Sequence, residues 1–172
     1  PSRAADNLFW LGRYVERAEG QMRLTRAYMS RLTEAPSGGT PLMSRLDAYL
    51  EQHNLDMTEG VPAAVEQTIA AAVNAASQVR DRFSVDAWAS LADLERTVGD
   101  LRRTVDPGDD AASAMGVLLR KITGFSGLVH ENMYRFSGWR FLTIGRSLER
   151  AIAMADLLGT FAEWSGPHGA IR

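Results

Sequence analysis

The sequence predicts an all-α protein: an antiparallel bundle of about six helices in which the first and last are central. Three observations carry this expectation. Apolar residues recur at alternating steps of three and four along every long segment, the period of one helix face. No segment alternates apolar and polar residues with the period of two that a half-buried strand needs. Short clusters of Pro, Gly, Ser and Asp separate the segments, and short connections favour antiparallel neighbours.

The first helix is expected over residues 4–33, with a seam of Leu8, Leu11, Val15, Ala18, Met22, Thr25, Met29 and Leu32. "EAPSGGTP" at 34–41 holds two prolines and two glycines and breaks it, forming a Pro/Gly loop. A short helix follows from Leu42 to His53. Pro62 suits the first turn of a third helix that carries its apolar line to Phe83. Ser84 is the expected N-cap of a fourth, along Trp88, Leu91, Leu94, Val98, Leu101 and Val105. "DPGDD" at 106–110 ends that helix and offers Asp caps to a fifth, over Ala111–Tyr134. Gly116, Gly124 and Gly127 lie inside it, each costing about 1 kcal/mol relative to Ala, so a kink or a close contact is expected there. Ser137 caps the last helix, Gly138 to Trp164, and residues 165–172 read as a tail.

With 172 residues, 45% of them hydrophobic, the chain can bury one core, and residues 1–172 are read as a single domain. A net charge of −2 provides no field that would draw the whole molecule to nucleic acid or an anionic membrane. The longest uncharged stretch, residues 67–79, is far short of the roughly 20 apolar residues that span a bilayer. Residues 1–12 show no basic region leading into an apolar run, so a cytoplasmic protein is expected. No cysteine is present, which excludes disulfides and thiolate metal sites.

The most informative feature is a motif written twice. "GRYVERA" at 12–18 and "GRSLERA" at 145–151 share five of seven residues, and the 133-residue offset carries the first seam onto Phe141, Ile144, Leu148, Ala151, Ala155, Leu158 and Ala162. This predicts two helices equivalent in register and related by an internal repeat. Glu16, Arg17, Glu149 and Arg150 lie away from those seams, yet Phe9, Trp10, Leu24, Leu142 and Leu157 share their faces at seven-residue spacing. A helix apolar on two sides belongs to an interior, so these charges are expected to be partly buried and to need partners. Arg13 can pair with Glu16, and Arg146 with Glu149, within a helix at i, i+3. The repeat suggests reciprocal pairing across helices as well, Glu16 to Arg150 and Glu149 to Arg17, with Gly12 and Gly145 permitting close approach.

"ADNLFWLGRYVERAE" at 5–19, "VRDRFS" at 79–84 followed by Trp88, and "ENMYRFSGWRFLTIGRSLERA" at 131–151 resemble the bacterial alpha-E family, a helical domain named for its ER motifs. Family members generally continue beyond the second ER helix. The resemblance implies an association with circularly permuted ATP-grasp proteins and transglutaminase-like proteins, a set proposed to make or modify peptides through amide bonds. The domain's own role does not follow from it, because a fold does not fix a reaction.

Arg13, Glu16, Arg17, Arg140, Arg146, Glu149 and Arg150 therefore have two readings. They form a buried ion-pair network that fixes helix register, or their guanidinium groups bind a carboxylate or phosphate. Phe9, Trp10, Trp139 and Phe141 could wall a pocket, although aromatics at helical spacing are more often core. His53, His130 and His168 include no Glu-x-x-His pair of the di-iron bundles, so no metal is expected. No phosphate loop, G-x-S-x-G or Ser-His-acid set is present, and no cofactor is expected. Two functions from different classes follow. One is an accessory, scaffold or substrate-presenting domain for an ATP-grasp amide ligase, which calls for an exposed apolar patch. The other is an enzyme that binds an acidic or phosphorylated substrate through the ER arginines, which calls for a wet cleft between the first and last helices. Nucleic-acid and membrane partners are not expected, and assembly into a homo-oligomer is left open.

Overall fold

The computed structural model describes residues 3–34 and 40–162. They form six α-helices and one 3₁₀ turn, without a β-strand among the described residues: α1 (Arg3–Glu34), α2 (Pro41–Gln52), α3 (Ala63–Ser77), the turn Arg80–Arg82, α4 (Val85–Thr104), α5 (Asp109–Asn132) and α6 (Ser137–Ala162). The interior of the expected 34–41 loop and the expected tail at 165–172 lie outside the described residues, as do His168 and Trp164.

Local chemistry sets the boundaries. Thr40 caps α2 by accepting the Met43 N–H at 3.3 Å, and Pro41 occupies the first turn. Ser84 caps α4 by accepting the Ala87 N–H at 3.1 Å. Several expectations needed correction. The third helix does not reach Phe83 but stops at Ser77, and a 3₁₀ turn follows. Val79 and Phe83 stay buried across the break, so their spacing continued an apolar line that the backbone had left. At the start of α5 the cap is Gly108, with φ of +110°, a backbone that L side chains rarely adopt. Asp109 and Asp110 sit instead in the first turn, where the helix dipole favours negative charge. Gly124 and Gly127 are not close contacts either, since a Cβ at either would meet nothing within 4 Å.

The core forms where α1 packs against α3 and α5, with α4 closing the outer side against those two. Leu8, Leu11, Val15, Ala18, Met22 and Met29 of the α1 seam are all buried, joined by Ile69 of α3, Met115 and Phe125 of α5 and Leu94 of α4. Helix α1 is therefore central, in contact with α3, α5 and α6. Helix α6 is not. It packs on α1, and its C-terminal half meets α2 through an Arg45 hydrogen bond to the Thr160 carbonyl and a His53–Asp156 contact of 2.9 Å. Its predicted seam, from Phe141 through Ile144 and Leu148 to Leu158, faces outward. The physical reason is that α6 spends its other face on α1, and no further described layer lies beyond it. Among the described residues no helix is long and apolar enough to cross a membrane.

Candidate functional site between the ER helices

The contact between α1 and α6 is a backbone contact first. A Cβ at Gly12 would overlap the Leu142 carbonyl oxygen, and a Cβ at Gly145 would overlap the Phe9 carbonyl oxygen. Each glycine faces the carbonyl three positions before the other, so the approach is reciprocal. Leu8 lies against Gly138, Gly12 against Leu142 and Arg146, and Glu16 against Arg146 and Arg150. The contacts advance together along both chains, so α1 and α6 run parallel. This parallel pairing lays the two copies of the motif side by side in the same register.

The charges then pair across the helices and not within them. Glu149 accepts from Arg17 Nε at 2.7 Å and Nη2 at 3.1 Å, and from Arg13 Nε. Glu16 accepts from Arg150 Nε at 2.6 Å and Nη2 at 2.9 Å, and from Arg146 Nε at 3.1 Å. The intrahelical Arg13–Glu16 and Arg146–Glu149 pairs that the spacing allowed are replaced by Arg13–Glu149 and Arg146–Glu16. Close helix approach explains the substitution: it sets each carboxylate between two guanidinium groups of the facing helix, one of which, Arg17 or Arg150, bonds both oxygens as a fork while the other, Arg13 or Arg146, adds a further donor. Arg146 also reaches Glu19 at 3.3 Å, and Glu19 accepts from Arg23 at 2.6 Å.

Burial sorts these residues. The side chains of Glu16 and Glu149 are only 11% and 10% exposed, whereas Arg150 is 64% exposed. Burial pushes the Glu149 carboxyl up, but the Arg17 and Arg13 hydrogen bonds and charges outweigh it and hold it below the ordinary carboxylate value. Arg17 is raised by its bond to Glu149 against the cost of burial, and Arg150 is raised by Glu16. Aromatic rings brace the guanidinium groups: Arg13 lies 6.0 Å from the Phe9 ring and 5.6 Å from the Trp10 ring, and Arg17 lies 5.8 Å from Tyr14. Among the described residues Arg140 bonds none of these carboxylates; it is exposed on the outer side of α6.

Beside the network a cleft opens between α5 and α6, over Val15 of α1. Of the four aromatics expected to wall a pocket or fill the core, Trp139 alone lines it. Trp10 and Phe141 are exposed, and Phe9 is half-buried beneath Arg13. The sequence reading weighed His130 only as a metal ligand and missed Ser126, Thr143 and Ser147; all four line the cleft with Arg146 and Arg150. Their signal was weak, because isolated hydroxyls on two separate helices converge only once the crossing of α5 and α6 is known. Among the described residues no group of three His, Cys, Asp or Glu side chains could hold a metal ion.

Comparison with known proteins agrees with the motif. The chain is 29% identical over 194 residues to the uncharacterized protein Rv2567 of Mycobacterium tuberculosis, a match covering 91% of this chain and 22% of that protein. The same figures hold for the uncharacterized protein Mb2597 of Mycobacterium bovis. The chain thus spans about a fifth of the length of these relatives. No solved structure matches. The family model Alpha-E, described as a predicted alpha-helical domain with a conserved ER motif, matches residues 1–169, and with its two ER segments interlocked between α1 and α6 the chain belongs to that family.

Proposed function

We propose that the chain is an accessory, scaffold or substrate-presenting domain of a bacterial cytoplasmic ATP-grasp amide-ligase system, docking its partner on the outer face of α6. The observation that carries this reading is that face itself. Phe141, Ile144, Leu148, Ile152, Met154 and Leu158 are 40–61% exposed along one helix. Exposed apolar side chains gathered on one helix in this way mark an interaction site. In α1 the equivalent spacing is wholly covered by α3 and α5, which supports reading the α6 face as a seam that awaits a partner. The length of the relatives points the same way, since the matched segment is there one part of a larger chain. An ATP-grasp ligase, with transglutaminase-like proteins, is the partner class that the family resemblance implies.

The geometry favours this over an enzyme that works through the ER arginines. Both motif glutamates are engaged by two arginines each, and Glu149, held below the usual carboxylate range, is a poor proton donor near neutral pH. The test combines the purified chain with the circularly permuted ATP-grasp protein of the same genome, using light scattering after size exclusion and ADP release. A complex is expected, with no ADP released by the chain alone. The double variant Ile144→Glu and Leu158→Glu should keep its thermal stability, exposed changes usually costing within about 0.5 kcal/mol, and lose the complex. A complex that survives the double variant, or turnover by the isolated chain, refutes the reading.

A further inference from the structure

We propose that the cleft between α5 and α6 binds a small carboxylate carried on a short apolar body. The proposal does not rest on the docking reading. The cleft has a volume of about 220 Å³, below the roughly 300–1,000 Å³ of sites for drug-sized ligands. It suits a group of a few carbons and is too small for a nucleotide. Its floor is apolar, formed by Val15, Phe125, Val129 and Leu142, all buried. Its rim is cationic and polar, with Arg146, Arg150 and His130.

Charge accounting shows that the rim has capacity left. Across the whole network five guanidinium groups, of Arg13, Arg17, Arg23, Arg146 and Arg150, share the three carboxylates of Glu16, Glu19 and Glu149, so the network beside the cleft is net cationic. Arg146 and Arg150 spend Nε and Nη2 on those glutamates, and among the described residues the Nη1 of each has no protein acceptor. Arg135 Nη2 lies 3.2 Å from His130 Nε2, which occupies that nitrogen as acceptor and leaves Nδ1 as the N–H donor. In the cleft wall the Ser126 hydroxyl oxygen is buried without a hydrogen-bond partner. A buried hydroxyl left unpaired is costly, and a ligand oxygen at the rim would satisfy it. Two planar guanidinium groups, each with an Nη1 left over on a net cationic network, match a carboxylate, and the apolar floor would have no use in binding a bare phosphate.

The test is a titration of the full chain with sodium hexanoate, followed by ¹H–¹⁵N NMR, with inorganic phosphate as the control for general anion attraction. Hexanoate should give saturable shifts at the Trp139 indole N–H and at amides of residues 126–130 and 143–147. Arg150→Gln removes one fork and should weaken binding about tenfold. Ser147→Trp should plug the cleft and abolish binding. Both positions are exposed, so both variants are expected to keep the helical circular dichroism of the parent. Shifts that persist unchanged in both folded variants, phosphate that matches hexanoate in site and strength, or no saturable shift at all would each overturn the proposal.

Discussion

At Glu149 one carboxylate answers two guanidinium groups, and what that arrangement contributes depends on its ionisation. Replacing it by Ala leaves Arg13, only 15% exposed, without its acceptor, and takes the principal acceptor from Arg17. Breaking a buried pair from one side costs roughly 3–5 kcal/mol, and partial exposure of Arg17 places Glu149→Ala near about 3 kcal/mol. The pH dependence separates charge from packing. The folded carboxyl is depressed below its ordinary value of 4.5, so the stabilisation is complete above that value and is lost as pH falls through the folded pKa. Glu149→Gln keeps the shape without the charge. Its deficit in melting temperature relative to the parent should therefore be largest near neutrality and shrink steadily below about pH 4.5. A deficit that stays constant between pH 3 and 7 would show that the charge contributes nothing.

At the scale of the helix pair, two hydrogens set the geometry that all six motif charges use. Because Gly12 and Gly145 each face a backbone carbonyl of the other helix, a methyl at either cannot be absorbed by rotating a side chain. Ala would ordinarily improve a helix by up to about 1 kcal/mol. Here the backbones must separate, which costs about 1–3 kcal/mol as overpacking and lengthens every Arg–Glu pair at once. Gly12→Ala is expected to lower the urea midpoint, whereas Gly124→Ala, with open space around its added methyl, should leave it unchanged or raise it. Equal effects at the two positions would mean that helix propensity, and not the close approach, governs. The motif was legible in sequence because Gly, Arg, Glu and Arg recur at one spacing. The repeat also named the reciprocal pairs, Glu16 with Arg150 and Glu149 with Arg17, that the structure holds. The second partners, Arg146 for Glu16 and Arg13 for Glu149, were expected within a helix instead, since i, i+3 geometry and a neighbouring helix offer the same side chains and only the interhelical distance decides.

Across the whole molecule, periodicity located every helix but said nothing about which apolar face is covered. The seams of α1 and α6 are written alike, yet α1 is enclosed by α3, α5 and α6, while α6 is held by one face against α1 and, at its C-terminal end, by the Arg45 and His53 contacts and the packing of Phe161 on Tyr49 of α2. That inequality cannot be read from a helix alone; it depends on what is packed next to it. It has a dynamic consequence, because local opening free energies follow the buried contacts of each element. Helix α1 cannot detach without exposing the core, so its central amides should exchange only through global unfolding. Residues 152–162 of α6 bury little apolar surface and should open at far lower free energy. Hydrogen exchange read by mass spectrometry should therefore rank peptides from 8–29 slowest and those from 152–162 among the fastest helical ones. Residues 142–150, pinned by the glycine contact and the ion pairs, should fall between. Addition of a docking partner should slow the 152–162 peptides without changing 8–29. Should the α6 peptides already match α1 in the isolated chain, the α6 face would not be an unfilled seam, and the docking reading would lose its structural basis.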